Sequence, residues 1–456
     1  MSPLWTAQEI AAATGGTTTA DFTAEGVAFD SREVGAGDLF IALTGENTDG
    51  HRFLDGAFAQ GAAGAIVSRE TSHPSVRVAD TFEALEELAR AARGRTPARV
   101  IGVTGSVGKT GTKEALFAAL DRSPNKRAHR SVKSYNNHTG VPLSLARMPA
   151  DTDYGVFEMG MNHPGELAKL TRLVRPHVAI VTTIAPAHTE FFPNESAIAD
   201  AKGEIFEGLE PGGVAIVPFD SPHRDRLIAA ARPHAARIVT FGGDRGADVH
   251  PIEAMASNGG TFVTARVGER ELSFTLSQPG LHWVSNAMAV LAAVDVVGAD
   301  LALAGLALAE LGGLPGRGAR RQVPVPGGEA LVIDESYNAN PASMRATLAV
   351  LGAEPGRHVA VLGEMRELGD RSEGYHADLV QPILAARVQL AVLVGEAMAP
   401  LARALEGRVD FVHVPDAAAA LDRVRGSIAP GDAVLVKGSN GVGLARVVAG
   451  LASGAE

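Results

Sequence analysis

Short apolar runs alternate with amphipathic stretches along almost the whole chain, and that alternation predicts α/β architecture throughout. Leu39-Phe40-Ile41-Ala42-Leu43 reads as a strand, Phe53 to Gln60 as a helix, and Gly64-Ala65-Ile66-Val67 as another strand. From Thr81 to Arg93, apolar Leu85, Leu88, Ala89 and Ala92 recur at helical spacing. That helix runs into Gly94-Arg95-Thr96-Pro97, a linker by composition. A second series opens with the strand Arg99 to Val103, and a helix follows over Thr112–Leu120. Gly155 to Glu158 and Val178 to Ile184 read as buried parallel strands. Val249 to Leu276 has hairpin character, turning at Asn258-Gly259-Gly260, and Ser285 to Leu311 is a helical run. After Gly312-Gly313-Leu314-Pro315-Gly316, a third series places strands at Ala330–Asp334, Val359–Leu362, Leu390–Val394 and Ala433–Val436. Helical patterns between them predict a small doubly wound, Rossmann-like unit.

Three domains are expected: residues 1–96, 97–313 and 314–456. A length of 456 residues agrees, at about 150 residues per domain. With 46% hydrophobic and 20% charged residues, wholesale disorder is excluded. The formal charge of −11 argues against nucleic acid as the main partner, though a local basic site is compatible with it. The absence of cysteine excludes disulfides, thiolate nucleophiles and thiolate zinc sites. No apolar stretch approaches 18 residues, so no transmembrane helix is expected. Met1-Ser2-Pro3-Leu4-Trp5-Thr6 has neither a basic nor an apolar leader pattern, and a cytoplasmic, monomeric protein is expected.

Between the strand ending at Val103 and the following helix lies Thr104-Gly105-Ser106-Val107-Gly108-Lys109-Thr110. Glycines let backbone N–H groups curl around phosphate oxygens, and a helix N-terminus adds its positive dipole end. Lys109 is placed to offset β/γ-phosphate charge, and the Thr110 hydroxyl to ligate Mg²⁺. The general phosphate-loop pattern asks for glycine where Val103 stands; here Gly102 and Gly105 flank that position. ATP or GTP binding is the inference, with Gly105, Ser106, Val107, Gly108, Lys109, Thr110 and Gly111 as the cradle.

Glu158 ends an apolar strand at its carboxyl end, where open α/β sheets bind ligands, and a carboxylate there suits Mg²⁺ beside Thr110. His188 follows a strand on the same side of the sheet; a loop histidine of this kind is equally often simply solvated. Lys202, in Ala199-Asp200-Ala201-Lys202-Gly203-Glu204, reads from its neighbours alone as a solvated helix lysine.

The phosphate loop and further motifs together resemble the Mur ligase family of bacterial peptidoglycan synthesis. They are Asp30-Ser31-Arg32 with Gly45-Glu46-Asn47-Thr48-Asp49-Gly50-His51, Asn136-Asn137-His138-Thr139-Gly140-Val141-Pro142, Glu158-Met159-Gly160-Met161, Ala187-His188 and Ala201-Lys202-Gly203-Glu204. In the last third stand Asp334 to Pro341, Gly363-Glu364-Met365-Arg366-Glu367-Leu368-Gly369 and Val436-Lys437-Gly438-Ser439. The resemblance implies an ATP-dependent amide ligase working through an acyl phosphate. It is strongest to the members that add D-alanyl-D-alanine to UDP-N-acetylmuramoyl-tripeptide. It implies catalytic roles for Lys109, Glu158, His188 and Lys202. Two Mg²⁺ ions are implied, held by Thr110, Glu158, His188 and Lys202, with Lys202 carbamylated and His188 on the second metal or beside the transferring phosphoryl. ATP contacts are implied for Asn286, Arg317, Tyr337 and Asn338. UDP-substrate contacts are implied for Ser31, Arg32, Thr48, Asp49, Gly50, His51, Asn136 and Asn137. Trp283 stands where the family often has asparagine, and is free either to stack on a base or to pack in the core. Two other readings stay open: a sibling ligase adding a single amino acid, and a non-catalytic nucleotide switch or scaffold.

Overall fold

The computed structural model describes residues 3–45, 48–187, 189–257 and 260–453. Among the described residues three large sheets follow one another along the chain, with a two-stranded antiparallel ribbon of Trp5–Thr6 and Thr23–Ala24 beside the first. The first has five strands in the order Thr17–Thr18, Ser75–Arg77, Gly64–Val67, Asp38–Ile41 and Gly26–Ala28, parallel except at its first edge. The helix Thr81–Gly94 closes this unit. Asp80 caps it by accepting from the Phe82 and Glu83 amides, and its apolar stripe includes Leu85, Leu88, Ala89 and Ala92.

The central sheet has nine strands. Its spatial order runs Arg270–Leu276, Gly260–Val267, Val249–Ser257, Arg237–Phe241, Val214–Pro218, Val178–Val181, Arg99–Thr104, Tyr154–Glu158 and Ala128–Arg130. The pairs from Ala128–Arg130 across to Val249 are parallel, and the last three strands form an antiparallel meander. Both faces are covered, so the parallel strands read as continuous apolar runs. Ile101 and Val103 pack into one layer with the helices Lys109–Asp121, Leu281–Val296 and Leu301–Glu310. Val100 packs into the opposite layer with Gly140–Ala146, Glu166–Val174 and Glu195–Gly203. The third sheet runs Ala319–Val325, Gly328–Glu335, Ala433–Lys437, His358–Gly363, Val388–Val394 and Asp410–Val414, and only its first pair is antiparallel.

Four element boundaries differ from the sequence reading, each for a local reason. The run Ser285–Leu311 is two helices, because Gly298 turns at φ +72 and the Asp300 carboxylate caps the next helix at the Ala302 and Leu303 amides. The strand from Val178 stops at Val181, because the Thr182 hydroxyl turns to donate to the Val107 carbonyl at 2.6 Å. The helix expected from Thr112 begins at Lys109, directly after Gly108 at φ +90. The expected hairpin is a three-stranded meander; Asn258 and Gly259 of its first turn lie outside the described residues.

The first unit is fastened to the second by Arg93, whose buried guanidinium donates to the Val174 and Arg175 carbonyls, both at 2.8 Å. Arg93→Met leaves those carbonyls unsatisfied at a buried junction and should cost about 2 kcal/mol. The expected result is a fall of several degrees in the first calorimetric transition; an unchanged thermogram would contradict this role.

Candidate active site

The phosphate-loop strand lies inside the parallel part of the sheet, between Val178–Val181 and Tyr154–Glu158. Its loop is held from the side by the next strand's continuation. The Ser106 amide donates to the Thr183 carbonyl at 2.6 Å, and the Thr182 hydroxyl donates to the Val107 carbonyl. Two glycines are sterically required. A Cβ on Gly105 would overlap the Thr182 hydroxyl, and one on Gly108 would lie 2.8 Å from the Asn286 Oδ1. Lys109 folds back to donate from Nζ to the Gly105 carbonyl at 2.7 Å. Desolvation pushes its amine below the ordinary lysine range; Glu158 opposes that shift and Arg317 adds to it.

Glu158 is only 1% exposed, and both its carboxylate oxygens are engaged. Thr110 Oγ1 donates to Oε2 at 2.8 Å, and Asn136 Nδ2 donates to Oε1 at 2.7 Å. Lys202, on the helix Glu195–Gly203, is equally buried, and desolvation with the nearby Lys109 charge pushes its amine well below the usual range. It is therefore not the solvated lysine that its sequence neighbours suggest. His188 lies outside the described residues. Hydroxyl and carboxylate oxygens, with no cysteine, form a hard donor set that fits Mg²⁺ rather than a soft metal. Among the described residues no group of three or more His, Asp and Glu side chains converges as a metal cage.

The third sheet supplies the opposite wall. A cavity of about 260 Å³ is bounded on one side by Ser106–Gly111 and Lys202, and on the other by Arg317, Tyr337, Asn338 and Lys437. The Arg317 guanidinium lies 4.1 Å above the Tyr337 ring and donates to Ser134 Oγ at 3.0 Å. Lys437, at the end of its strand, donates to the Asn338 carbonyl at 2.9 Å and stands 3.5 Å from Glu335 Oε2. Desolvation lowers the Lys437 amine and raises the Glu335 carboxyl. Burial also brings the His282 imidazole down to about 4, with Lys437 adding to the shift, so it is neutral at pH 7. Asn286 and Trp283 line the same cavity. The Trp283 ring lies 2.8 Å from where a Gly111 Cβ would be, and also packs on the central core.

The first-unit residues are not brought into this cavity. Ser31 and Arg32 form a short turn capped by Asp30, and the Arg32 side chain is 85% exposed, forked onto the Asp30 carboxylate. Asp49 is held down to about 2 by hydrogen bonds from His51 and by Arg69. His51 Nε2 accepts from the Ser68 amide at 3.0 Å, Gly50 packs beneath Leu43, and Thr48 is exposed. Asp49 and His51 thus tie their loop to the neighbouring Ser68–Arg69 segment. Asn137 is also engaged locally, accepting from the Gly140 amide at 2.9 Å. Asn136 and Asn137 line a second, larger cavity of about 790 Å³ with Arg90, Glu166, Lys169 and Arg172; Asn136 borders both cavities. The sequence reading missed Lys437, Glu335 and Ser134 as site residues. A lone lysine closing the apolar run Ala433–Val436 was the available signal for Lys437.

Comparison with known proteins identifies the family. The sequence matches the Mur ligase family, catalytic domain over residues 23–98, the Mur ligase middle domain over 103–294, and the Mur ligase, glutamate ligase domain over 320–440. It is 36% identical to the UDP-N-acetylmuramoyl-tripeptide–D-alanyl-D-alanine ligase of Escherichia coli K12, over 95% of this chain and 94% of that one. Identity to the ligase of the same name from Bacillus subtilis is 34%, over 93% and 92%. The structure superposes on MurF from Acinetobacter baumannii with a TM-score of 0.85 at 32% identity, covering 99% of each chain. MurF from Thermotoga maritima, solved in complex with ADP, gives 0.78 at 27% identity over 94% and 97%.

The glycine geometry generates a direct test. Gly108→Ala places a Cβ against Asn286 at a left-handed backbone position, so ATP affinity should fall by at least about tenfold. Calorimetric titration with a non-hydrolysable analogue measures it, and unchanged affinity would remove the loop from the nucleotide site.

Proposed function

Because the chain belongs to the Mur ligase family, we propose that it joins D-alanyl-D-alanine to UDP-N-acetylmuramoyl-tripeptide at the expense of ATP, in peptidoglycan precursor synthesis. The observation that carries this reading is the Thr110–Glu158–Asn136 hydrogen-bonded corner, facing Arg317 and Tyr337 across one cavity. The family's substrates fit that arrangement. A carboxylate and a triphosphate are both anions, and desolvated cations offset their repulsion only at short range.

In this reading the tripeptide carboxylate attacks the γ-phosphorus and ADP leaves, giving an acyl phosphate. The dipeptide amine then attacks the acyl carbon, and phosphate leaves as the amide forms. Lys109 offsets phosphate charge from the loop side and Arg317 from the third sheet. By kinship Asn286, which lies against Gly108, serves the base end of the nucleotide, while Trp283 packs between Gly111 and the central core. Thr110 and Glu158 would hold Mg²⁺, which offsets phosphate charge when bound. Asn136 and Asn137 open toward the acceptor peptide, with Ser31, Arg32 and the loop Thr48–His51 on the UDP end. Assigned by kinship alone, His188 and Lys202 serve a second Mg²⁺.

Lys202 is best read as a carbamate. Burial pushes its amine toward the neutral form, and a neutral amine adds CO₂ to give R–NH–COO⁻ with release of one proton. That product turns a cation into an oxygen ligand. We divide the chain into units 1–96, 97–313 and 314–456, one per large sheet, and place the enzyme in the cytoplasm as a monomer. No helix among the described residues is long and apolar enough to cross a membrane. Both ATP and a UDP-linked acceptor are supplied by the cytoplasm.

ADP release should require UDP-muramoyl-tripeptide and D-alanyl-D-alanine together, with the pentapeptide product seen by mass spectrometry. Release with a single amino acid would point to a sibling ligase, and ATP binding without turnover to a scaffold. With ¹³C-bicarbonate, the parent should show a carbamate carbon resonance that Lys202→Met lacks; a parent spectrum without it ends the carbamate reading.

A further inference from the structure

Lys113 is a fully buried lysine that the reaction above does not use. It lies one turn beyond Lys109 on the phosphate-loop helix, and its Nζ donates to two backbone carbonyls, of Ser131 at 2.8 Å and of Lys133 at 2.7 Å. Glu114 Oε1 pairs with the same ammonium at 2.9 Å, and Glu114 Oε2 forms a second ion pair with Arg130. An ammonium at this depth is expensive unless its neighbours satisfy it, so two carbonyls and a carboxylate around it mark a built arrangement rather than an incidental one.

What the amine grips is the segment that forms the metal corner. Ser131 Oγ accepts from the Glu158 amide at 3.3 Å, Ser134 meets Arg317, and Asn136 donates to Glu158. Between them Lys133 sits at φ +52, a left-handed position that strains a non-glycine residue. Strain of that kind persists where surrounding bonds over-determine it. The carbonyl of this strained residue is one of the two that Lys113 holds.

We propose that Lys113 is a positioning residue for the Glu158 corner. It clamps residues 131–133 so that Asn136 and Ser131 aim the Glu158 carboxylate beside Thr110. The inference rests on the nucleotide-ligase reading, because it assumes that the corner serves a nucleotide-bound divalent cation. Turnover by the unaltered chain with both substrates is therefore checked first and tests that reading separately.

The deciding measurement is binding rather than activity. The affinity of a non-hydrolysable ATP analogue is titrated with Mg²⁺ and again with EDTA, for the parent, Lys113→Met and Lys113→Gln. The Mg²⁺-dependent gain in affinity should shrink about tenfold in Lys113→Met and less in Lys113→Gln. Affinity in EDTA should stay within about twofold of the parent, since the glycine loop is untouched. A merely structural role would lower melting temperature without moving that ratio. Folded variants with an unchanged Mg²⁺-dependent gain overturn the proposal. So does failure of both variants to fold, because the amine would then hold the fold and not the corner.

Discussion

The structure turns on positive charge held out of water where the central and C-terminal sheets meet. The Lys109 and Lys437 amines are both depressed by desolvation, and Arg317 lines the same cavity. Among the described residues lining the cavity, Glu158 and Glu335 are the acidic partners, and the Glu158 oxygens already accept from Thr110 and Asn136. Desolvated cations with too few counter-ions are unfavourable, and they are retained where a ligand supplies the missing charge. A polyphosphate entering this cavity completes the electrostatics of the fold, so its binding stabilises the arrangement that holds it.

That requirement explains the unusual backbone around the site. A chain that must present N–H groups inward cannot place side chains there, hence the glycines at 105 and 108, each against a side chain of a neighbouring segment. The Val178–Val181 strand ends early because the Thr182 hydroxyl and the Thr183 carbonyl turn to the loop, while the Thr182 amide still donates to the Thr104 carbonyl. The segment 131–136 carries a strained residue because its carbonyls and side chains serve the phosphate-loop helix, Glu158 and Arg317 at once. Local rules are broken where several partners converge on one position.

The fold and the phosphate loop were legible because each rests on short-range pattern. Buried parallel strands read as apolar runs, and strand, glycines, lysine and helix must occur in that order. Glu158 was readable as well, since a carboxylate closing such a run lies at the sheet's carboxyl edge. Lys202 was legible only through kinship, because its neighbours give no sign that packing strips its amine of water. Lys113 gave no signal either: its acceptors lie about twenty residues on, brought back by the strand Ala128–Arg130. Asp49 and His51 show the opposite case, motif residues whose visible bonds are to their own loop and its neighbour. Polar side chains in a loop serve the loop first, and a sequence does not reveal which of them still has a free lone pair.

The −11 net charge opposes binding of anionic substrates at long range, and distance removes the conflict. At physiological salt, exposed charges are screened beyond about 8 Å, so the acidic exterior contributes little inside the cavity. The cations that matter lie at the low-dielectric ends of strands and helices, where the same charge acts several-fold more strongly than in water. An acidic exterior weakens long-range attraction for anions, so little of the capture is electrostatic steering. Affinity must then come from short-range fit, in which each phosphate oxygen meets a backbone N–H or a desolvated cation. That dependence makes the site sensitive to sub-ångström placement of Thr110, Glu158 and Asn136, and explains why so many buried bonds are committed to residues that touch no ligand.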